Sequence, residues 1–300
     1  MGRPTTIAVV QMESKLGREP ANLRRAERLV RQAAAEGSDL VCLPEAFLTS
    51  GNILEVADVA VAIPGDATDQ LCALAAELGV HLVAGLLERG TLDGATAYFS
   101  TSVLVDRTGE LRGTYRRVHR HELESRYLAG GSAYPVFDLD IGRIALMQGY
   151  DVNFPEVSHE YLRRGVDLVV CSALVPDMFT YVVDMRLPVR AVDGEFVLAF
   201  ASGIGNNLYA GFGYMGRSQI LADPLFLESE RFDFEDGDER MLVLGPGEGV
   251  GTVEVDLERM RRYREKATLR NDLRPDTYWQ LDPDAANPTA PGPATASSQT

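Results

Sequence analysis

The residues best suited to chemistry gather in three places. Glu45 follows Leu43-Pro44 at the end of the apolar run DLVCLPE (39–45). A glutamate at the end of a buried strand is either a cap or ion-pair partner, or a general base held in a partly dry pocket. The stretch TYRRVHRHELESRYLAGG (114–131) carries Arg116, Arg117, Glu122, Glu124 and Arg126. A charge run of this kind normally forms a solvated face. The third place is ALMQGYDVNFPE (145–156). Here an apolar strand runs straight into Gln148, Gly149, Tyr150 and Asp151, then into a helix start at Phe154-Pro155-Glu156. Strand ends are where α/β proteins bind their ligands. A reactive side chain belongs on such a turn, yet position 149 presents only a hydrogen atom.

Other nucleophiles are sparse. The three cysteines are Cys42, Cys72 and Cys171. Few, odd in number and far apart, they argue against a disulfide framework and for a reducing, cytoplasmic setting. Cys171 ends the run LVVC; it either approaches the same pocket or packs as a small hydrophobe. Cys42 sits inside a strand, and Cys72 lies on the apolar stripe of a helix. Ser172, Ser202 and Tyr150 supply hydroxyls without a neighbouring base in sequence, so no serine triad is read. The histidines, His81, His119, His121 and His159, lack zinc-like spacing, and no metal or other cofactor is expected. Lysine is confined to Lys15 and Lys266, whereas arginine is abundant.

The elements that must position these residues alternate. TTIAVVQM (5–12), DLVCLPE, VHLVAGLL, AYFSTSVLVD (97–106), RIALMQ, VDLVVCSA, FVLAFASG, SQILADP and GTVEVDL read as strands. Helices are expected from an Asn22 cap to Gly37, over QLCALAAELG, over FPEVSHEYLRRG, across 184–194 and over ERMRRYREKATL. Strand–helix alternation with strands apolar on both sides predicts an α/β architecture. Hydrophobic residues make up 45% of the chain and charged residues 24%, an ordinary balance for a globular protein. The net charge of −15 disfavours nucleic acid and anionic membrane surfaces as partners. No apolar run is long enough to span a bilayer. The segment 283–300, rich in Pro, Ala, Ser and Thr, reads as a disordered tail after a domain covering 1–282.

Taken in order, these segments resemble the nitrilase, or carbon–nitrogen hydrolase, superfamily. LPEAFLTSGN resembles the segment bearing that family's catalytic glutamate, at Glu45. YRRVHR resembles the segment of its catalytic lysine, whose position falls on Arg117. ESRYLAGG resembles the loop with a second acidic residue, at Glu124. GYDVNFPE resembles its nucleophile elbow, and the cysteine position falls on Gly149. RNDLRPDTY (270–278) resembles the closing segment. The resemblance implies a four-layer α-β-β-α sandwich and a homodimer or higher oligomer, with Tyr161, Met178, Phe179 and Tyr181 either at the interface or in the core. Departures gather near the site: His159, Asp193-Gly194 and Ser202 each replace a residue type usual in the family.

The family's reaction needs a thiolate nucleophile, a glutamate to move its proton, and a lysine ammonium for the oxyanion. Glycine excludes covalent catalysis from position 149, and arginine is a poor stand-in for lysine because of its planar bulk and very high pKa. Three readings follow. One is a small-molecule-binding or regulatory homologue holding a C–N compound in a pocket that includes Gln148, Tyr150, Cys171 and Ser172. The second is a repurposed enzyme in which Glu45, with Glu124, runs acid–base chemistry, aided by a water in the space left by the missing side chain. The third is an amidohydrolase with Cys171 as a displaced nucleophile.

Overall fold

Ile7 and Val9 point to one side of the first strand, and Ala8, Val10 and Met12 to the other; all five are fully buried. That two-sided burial is what the unbroken apolar run requires. The structure is a computed structural model, and it describes residues 4–207, 211–227, 235, 237–267, 272 and 274. The tail expected at 283–300 and most of RNDLRPDTY lie outside the described residues.

The first strands are β1 (Thr5–Glu13), β2 (Leu40–Cys42), β3 (His81–Leu92), β4 (Ala95–Val105) and β5 (Leu111–Arg116). The central ones are β6 (Val136–Leu139), β7 (Gly142–Gln148), β8 (Leu168–Ala173) and β9 (Val197–Asn207). The last are β10 (Phe212–Met215), β11 (Gln219–Leu221), β12 (Arg240–Val243) and β13 (Gly249–Val255). The helices are α1 (Glu19–Ala35), α2 (Val56–Val59), α3 (Asp66–Leu78), α4 (Pro155–Arg163), α5 (Leu187–Gly194), α6 (Pro224–Leu227) and α7 (Leu257–Lys266).

The strand order is β5-β4-β3-β2-β1-β9-β8-β7-β6. β1 and β9 pair in the ladder at Met12/Gly203 and Glu13/Ile204, where the strand path bends into two facing halves. The inner apolar layer takes Ile7, Val9 and Val83 from one half and Leu146, Val170 and Ala199 from the other. Outside the first half pack α1, through Leu29 and Val30, and α3, through Leu71 and Leu74. Outside the second pack α4, through Val157 and Tyr161, and α5, through Leu187 and Ala191. The result is the four-layer α-β-β-α sandwich.

Several local expectations are corrected. Asn22 is not the cap of α1. The helix starts earlier, at Glu19, with Pro20 in its first turn, where a missing N–H costs nothing. Asn22 is buried inside the helix, where its amide bonds Lys15 and Leu48. The helix expected at 184–194 begins as a π-turn over Val182–Arg186 before α5. Of the residues left open between interface and core, Tyr161 is core: it is fully buried and its hydroxyl donates to the Leu146 carbonyl at 2.5 Å. Met178, Phe179 and Tyr181 are exposed.

Candidate functional site

Glu45 is held at the end of β2 by two local features. Pro44 ends the strand, and the loop then lies directly on Gly85 of β3. A Cβ at Gly85 would stand 2.5 Å from the Glu45 Cα, so only glycine admits this close approach. The Glu45 side chain points inward and is 7% exposed as a residue. Its Oε1 accepts the Ser100 hydroxyl at 2.7 Å and the Arg117 Nη1 at 2.9 Å.

Arg117 follows the last residue of β5. Strand alternation sends its neighbour Arg116 to the other face, where it forks onto Glu88 and lies over the Phe99 ring. Arg117 turns inward and is 3% exposed, so the charged run 114–131 is not wholly a solvated face. Composition alone reads the run as solvated, whereas the resemblance put Arg117 at the site; two acceptors, the buried Glu45 and the half-buried Glu124, draw it in. Nη1 bonds Glu45, Nη2 bonds Glu124 Oε1 at 2.6 Å, and Nε has no partner among the described residues. Glu124 also accepts the His121 backbone N–H at 3.0 Å.

Below Glu45 runs a polar chain that joins the two sheet halves. The Ser100 hydroxyl lies 2.7 Å from both Glu45 Oε1 and the Gln148 side-chain oxygen, and the Gln148 amide reaches Ser102 Oγ at 2.9 Å. One hydroxyl hydrogen cannot serve two acceptors. The chain is satisfied when Glu45 carries a proton, or when the Gln148 amide is turned over to donate to Ser100. Sequence reading missed Ser100. The signal was there: in YFSTS two serines share one face of a buried strand, which asks for a polar partner opposite.

Gly149 opens a short 3-10 turn over Gly149–Asn153 with φ +25°. A Cβ built there would stand 2.6 Å from Glu45 Oε2 and 3.5 Å from Arg117 Nη1. The space expected for a water beside Glu45 is therefore closed: the glutamate's own carboxylate leans into the position a side chain would take. Asp151, two residues on, is fully buried and anchors the turn. Its Oδ2 accepts the Tyr115 hydroxyl at 2.6 Å and the Gln148 N–H at 3.3 Å. Its Oδ1 accepts the His119 N–H at 3.0 Å and lies 2.9 Å from His119 Nδ1. The His119 ring stacks on Phe154, centroids 3.6 Å apart.

Burial pushes the Glu45 carboxyl above the usual range, with the Glu124 and Asp151 charges adding to the shift; Arg117 and the Ser100 hydroxyl oppose it without reversing it. Desolvation works to lower the pKa of Arg117, but Glu45 and Glu124 outweigh it and hold the guanidinium charged. One cation thus serves two carboxylates.

These groups form part of the lining of a cavity of about 720 Å³, together with Gly149, Tyr150, Asn153, Leu174, Phe179, Phe212 and Tyr214. Of the expected pocket residues, Tyr150 lines it; Gln148, Cys171 and Ser172 do not. Gln148 and Ser172 point between the sheet halves, Ser172 donating to the Leu43 carbonyl at 2.8 Å. Cys171 is fully buried in the apolar layer under α4 and α5. Its neighbours on β8 show why: Val170 and Ser172 face the inner layer, so Cys171 faces outward to the helices. Burial pushes its thiol well above the ordinary range, against a hydrogen bond from the Gly149 backbone N–H. A thiol so placed neither reaches the cavity nor ionises readily. Among the described residues, no three His, Cys, Asp or Glu side chains form a metal-binding group, and no helix is long and apolar enough to cross a membrane.

The layered fold and the glutamate-led cavity define a carbon–nitrogen hydrolase scaffold. The sequence profile of the carbon-nitrogen hydrolases matches residues 6–265, and the chain belongs to that family. It is 28% identical over 281 residues to a nitrilase of Pyrococcus abyssi, covering 91% of this chain and 99% of the relative. It is 26% identical over 275 residues to the 2-oxoglutaramate amidase of Bacillus subtilis, covering 91% and 99%. Among solved structures, an amidase from Nesterenkonia sp. superposes with a TM-score of 0.73 at 24% identity, covering 91% of this chain and 98% of that one. Saccharomyces cerevisiae Nit3 superposes with a TM-score of 0.75 at 22% identity, covering 90% and 96%. A variant of the Nesterenkonia amidase carries the acetamide moiety of fluoroacetamide on its active-site cysteine.

Proposed function

We propose that this chain is a small-molecule-binding member of the carbon–nitrogen hydrolase family that lacks thiol-dependent amide and nitrile hydrolysis. One observation carries the reading. At Gly149, where the resemblance puts the nucleophile, Glu45 Oε2 stands 2.6 Å from where a Cβ would be, with Glu45 held there by Ser100 and Arg117. Position 149 offers no sulfur, and one oxygen of the Glu45 carboxylate is engaged by Arg117 and Ser100. The large cavity remains and is walled mainly by apolar side chains, as ligand pockets are. Cys171, the thiol considered as a displaced nucleophile, packs in the apolar layer under α4 and α5 and does not line the cavity. A second reading rests on the raised pKa of Glu45, which suits a general acid working without a covalent intermediate. The exposed Met178, Phe179, Tyr181, Met185 and Val189 support a homodimer through 178–189, to be tested by sedimentation. The unpaired Cys42, Cys72 and Cys171 support a cytoplasmic protein.

The test is incubation with primary amides, nitriles and N-carbamoyl compounds, read by ammonia release and intact mass. Neither ammonia nor an acyl adduct is expected. An acyl adduct overturns the proposal. Turnover without an adduct, abolished by Glu45→Gln, transfers the case to the acid–base reading.

A further inference from the structure

The charged side chains of the cavity lining are matched with one exception. Glu45 and Glu124 both bond Arg117. Arg186, the other cation of the lining, has no acid within ion-pair reach among the described residues. Its Nη1 donates to the Asn153 side-chain oxygen, and its guanidinium lies 4.9 Å over the Tyr181 ring. Both partners are neutral. A guanidinium presents a planar fork of N–H donors. The rest of this fork has no acceptor among the described residues. With both glutamates ionised the lining is electrically balanced, and a proton held at Glu45, whose carboxyl burial pushes up, tips it positive.

The local fold explains how Arg186 comes to be left over. It ends the π-turn over Val182–Arg186, a backbone irregularity that recurs at functional sites. Val182 and Arg186 line the cavity, while Val183 packs in the core beneath. Asp184, an acid on the same turn, is taken by Arg217 at 2.5 Å. Arg190, the next arginine along, has its own acid, Asp193, at 2.8 Å. Asn153 closes the Gly149–Asn153 turn, and its amide donates to the Tyr150 carbonyl at 2.9 Å, which leaves its oxygen for Arg186. The fork is thus held in place by groups that leave its charge unanswered. It matches a carboxylate in shape and sign, and can take one through two parallel N–H···O bonds. Phe179 lies edge-on to Tyr181, centroids 6.1 Å apart, and with Leu174 and Phe212 it supplies apolar wall for the body of a ligand.

Resting on the binding reading above, we propose that the ligand carries a carboxylate on an aryl or alkyl body and that Arg186 is the anchor of that carboxylate. Asn153 and Tyr181 position the fork, and no covalent step is involved.

The experiment is calorimetric titration of the full chain with four probes of one shape: phenylacetate, phenethyl alcohol, phenylacetamide and phenethylamine. Phenylacetate is expected to bind about tenfold tighter than the alcohol and the amide, the scale of one modest charge pair. Phenethylamine is expected to bind most weakly. Arg186→Gln should remove the preference for phenylacetate while leaving the alcohol's affinity within about twofold. Arg186→Lys keeps the charge and loses the planar fork, so it should hold phenylacetate more weakly than the natural chain and still more tightly than the alcohol. Should Arg186→Gln melt before titration, the lysine variant carries the test. No binding of phenylacetate, equal binding of phenylacetate and the alcohol, or tighter binding of the amine overturns the assignment. So does a preference that survives Arg186→Gln, or a lysine variant that binds phenylacetate as tightly as the natural chain. Those outcomes leave the absence of thiol catalysis standing. An acyl adduct from phenylacetamide, seen by intact mass, is instead the failure of the underlying reading.

Discussion

Two buried carboxylates flank Gly149, and they are used in opposite ways. Asp151 has both oxygens committed, to Tyr115, Gln148 and His119. Glu45 has one oxygen committed, to Ser100 and Arg117, and the other turned to the cavity. A fully satisfied carboxylate fixes a backbone turn. A half-satisfied one in a dry site holds its proton to higher pH. Two acids from distant segments thus meet at one turn, one fixing the backbone and the other lining the cavity, and the count of donors tells them apart.

The largest expected effect comes from breaking the structural partner. Asp151→Ala strands the Tyr115 hydroxyl and the His119 and Gln148 N–H groups, and should cost about 3–5 kcal/mol in denaturant unfolding. A cost below that of a surface substitution would end the contrast drawn with Glu45.

Refilling the elbow comes next. Gly149→Cys drives a Cβ toward Glu45 Oε2 at a positive φ, and should cost about 1–3 kcal/mol. With Glu45 still tied to Arg117, this variant should form little acyl adduct with primary amides. Adding Arg117→Lys loosens that tie and should raise adduct formation, read by intact mass. Equal adduct in the single and double variants would show that the Arg117 pair does not restrain Glu45.

A smaller effect follows from the titration of Glu45. Its folded pKa is raised, so the folded chain holds a proton that the unfolded chain has released. Its contribution is full below the unfolded carboxylate range and is lost as pH climbs through the folded value. The stability of the natural chain relative to Glu45→Gln should therefore fall as pH rises across that window, measured as paired thermal melts. A difference that stays flat with pH would remove the case for a dry, half-partnered carboxylate.

The smallest effect belongs to Cys171. Cys171→Ala should cost about 1 kcal/mol in lost packing, and the Cys171 thiol of the natural chain should react very slowly with thiol reagents in the folded state. Rapid labelling of Cys171 would place that sulfur nearer the cavity than its position on β8 allows.

Much of this could be read from the chain itself. The apolar runs that became β1, β7 and β8 announced strands buried on both faces, because no polar residue interrupts them. Pro44 and Gly149 marked the strand ends that carry the site. Position 149 supplies no side-chain nucleophile whatever the fold, since atoms absent from the chain cannot be supplied by folding. Tertiary structure decided what the one-dimensional pattern leaves open. Arg117 was hidden in a hydrophilic run, because a charge is buried only when distant acceptors, here Glu45 and Glu124, meet it. Cys171 and Ser172 were both placed near the pocket, yet a period of two sends them to opposite faces, and which face meets the site depends on how the two sheet halves fold together. Whether the vacated elbow held a water or a carboxylate also depended on a side-chain position set by Ser100, a residue 55 positions from Glu45. Composition and covalent identity are properties of the chain, but the partner that satisfies a buried charge is chosen by long-range packing.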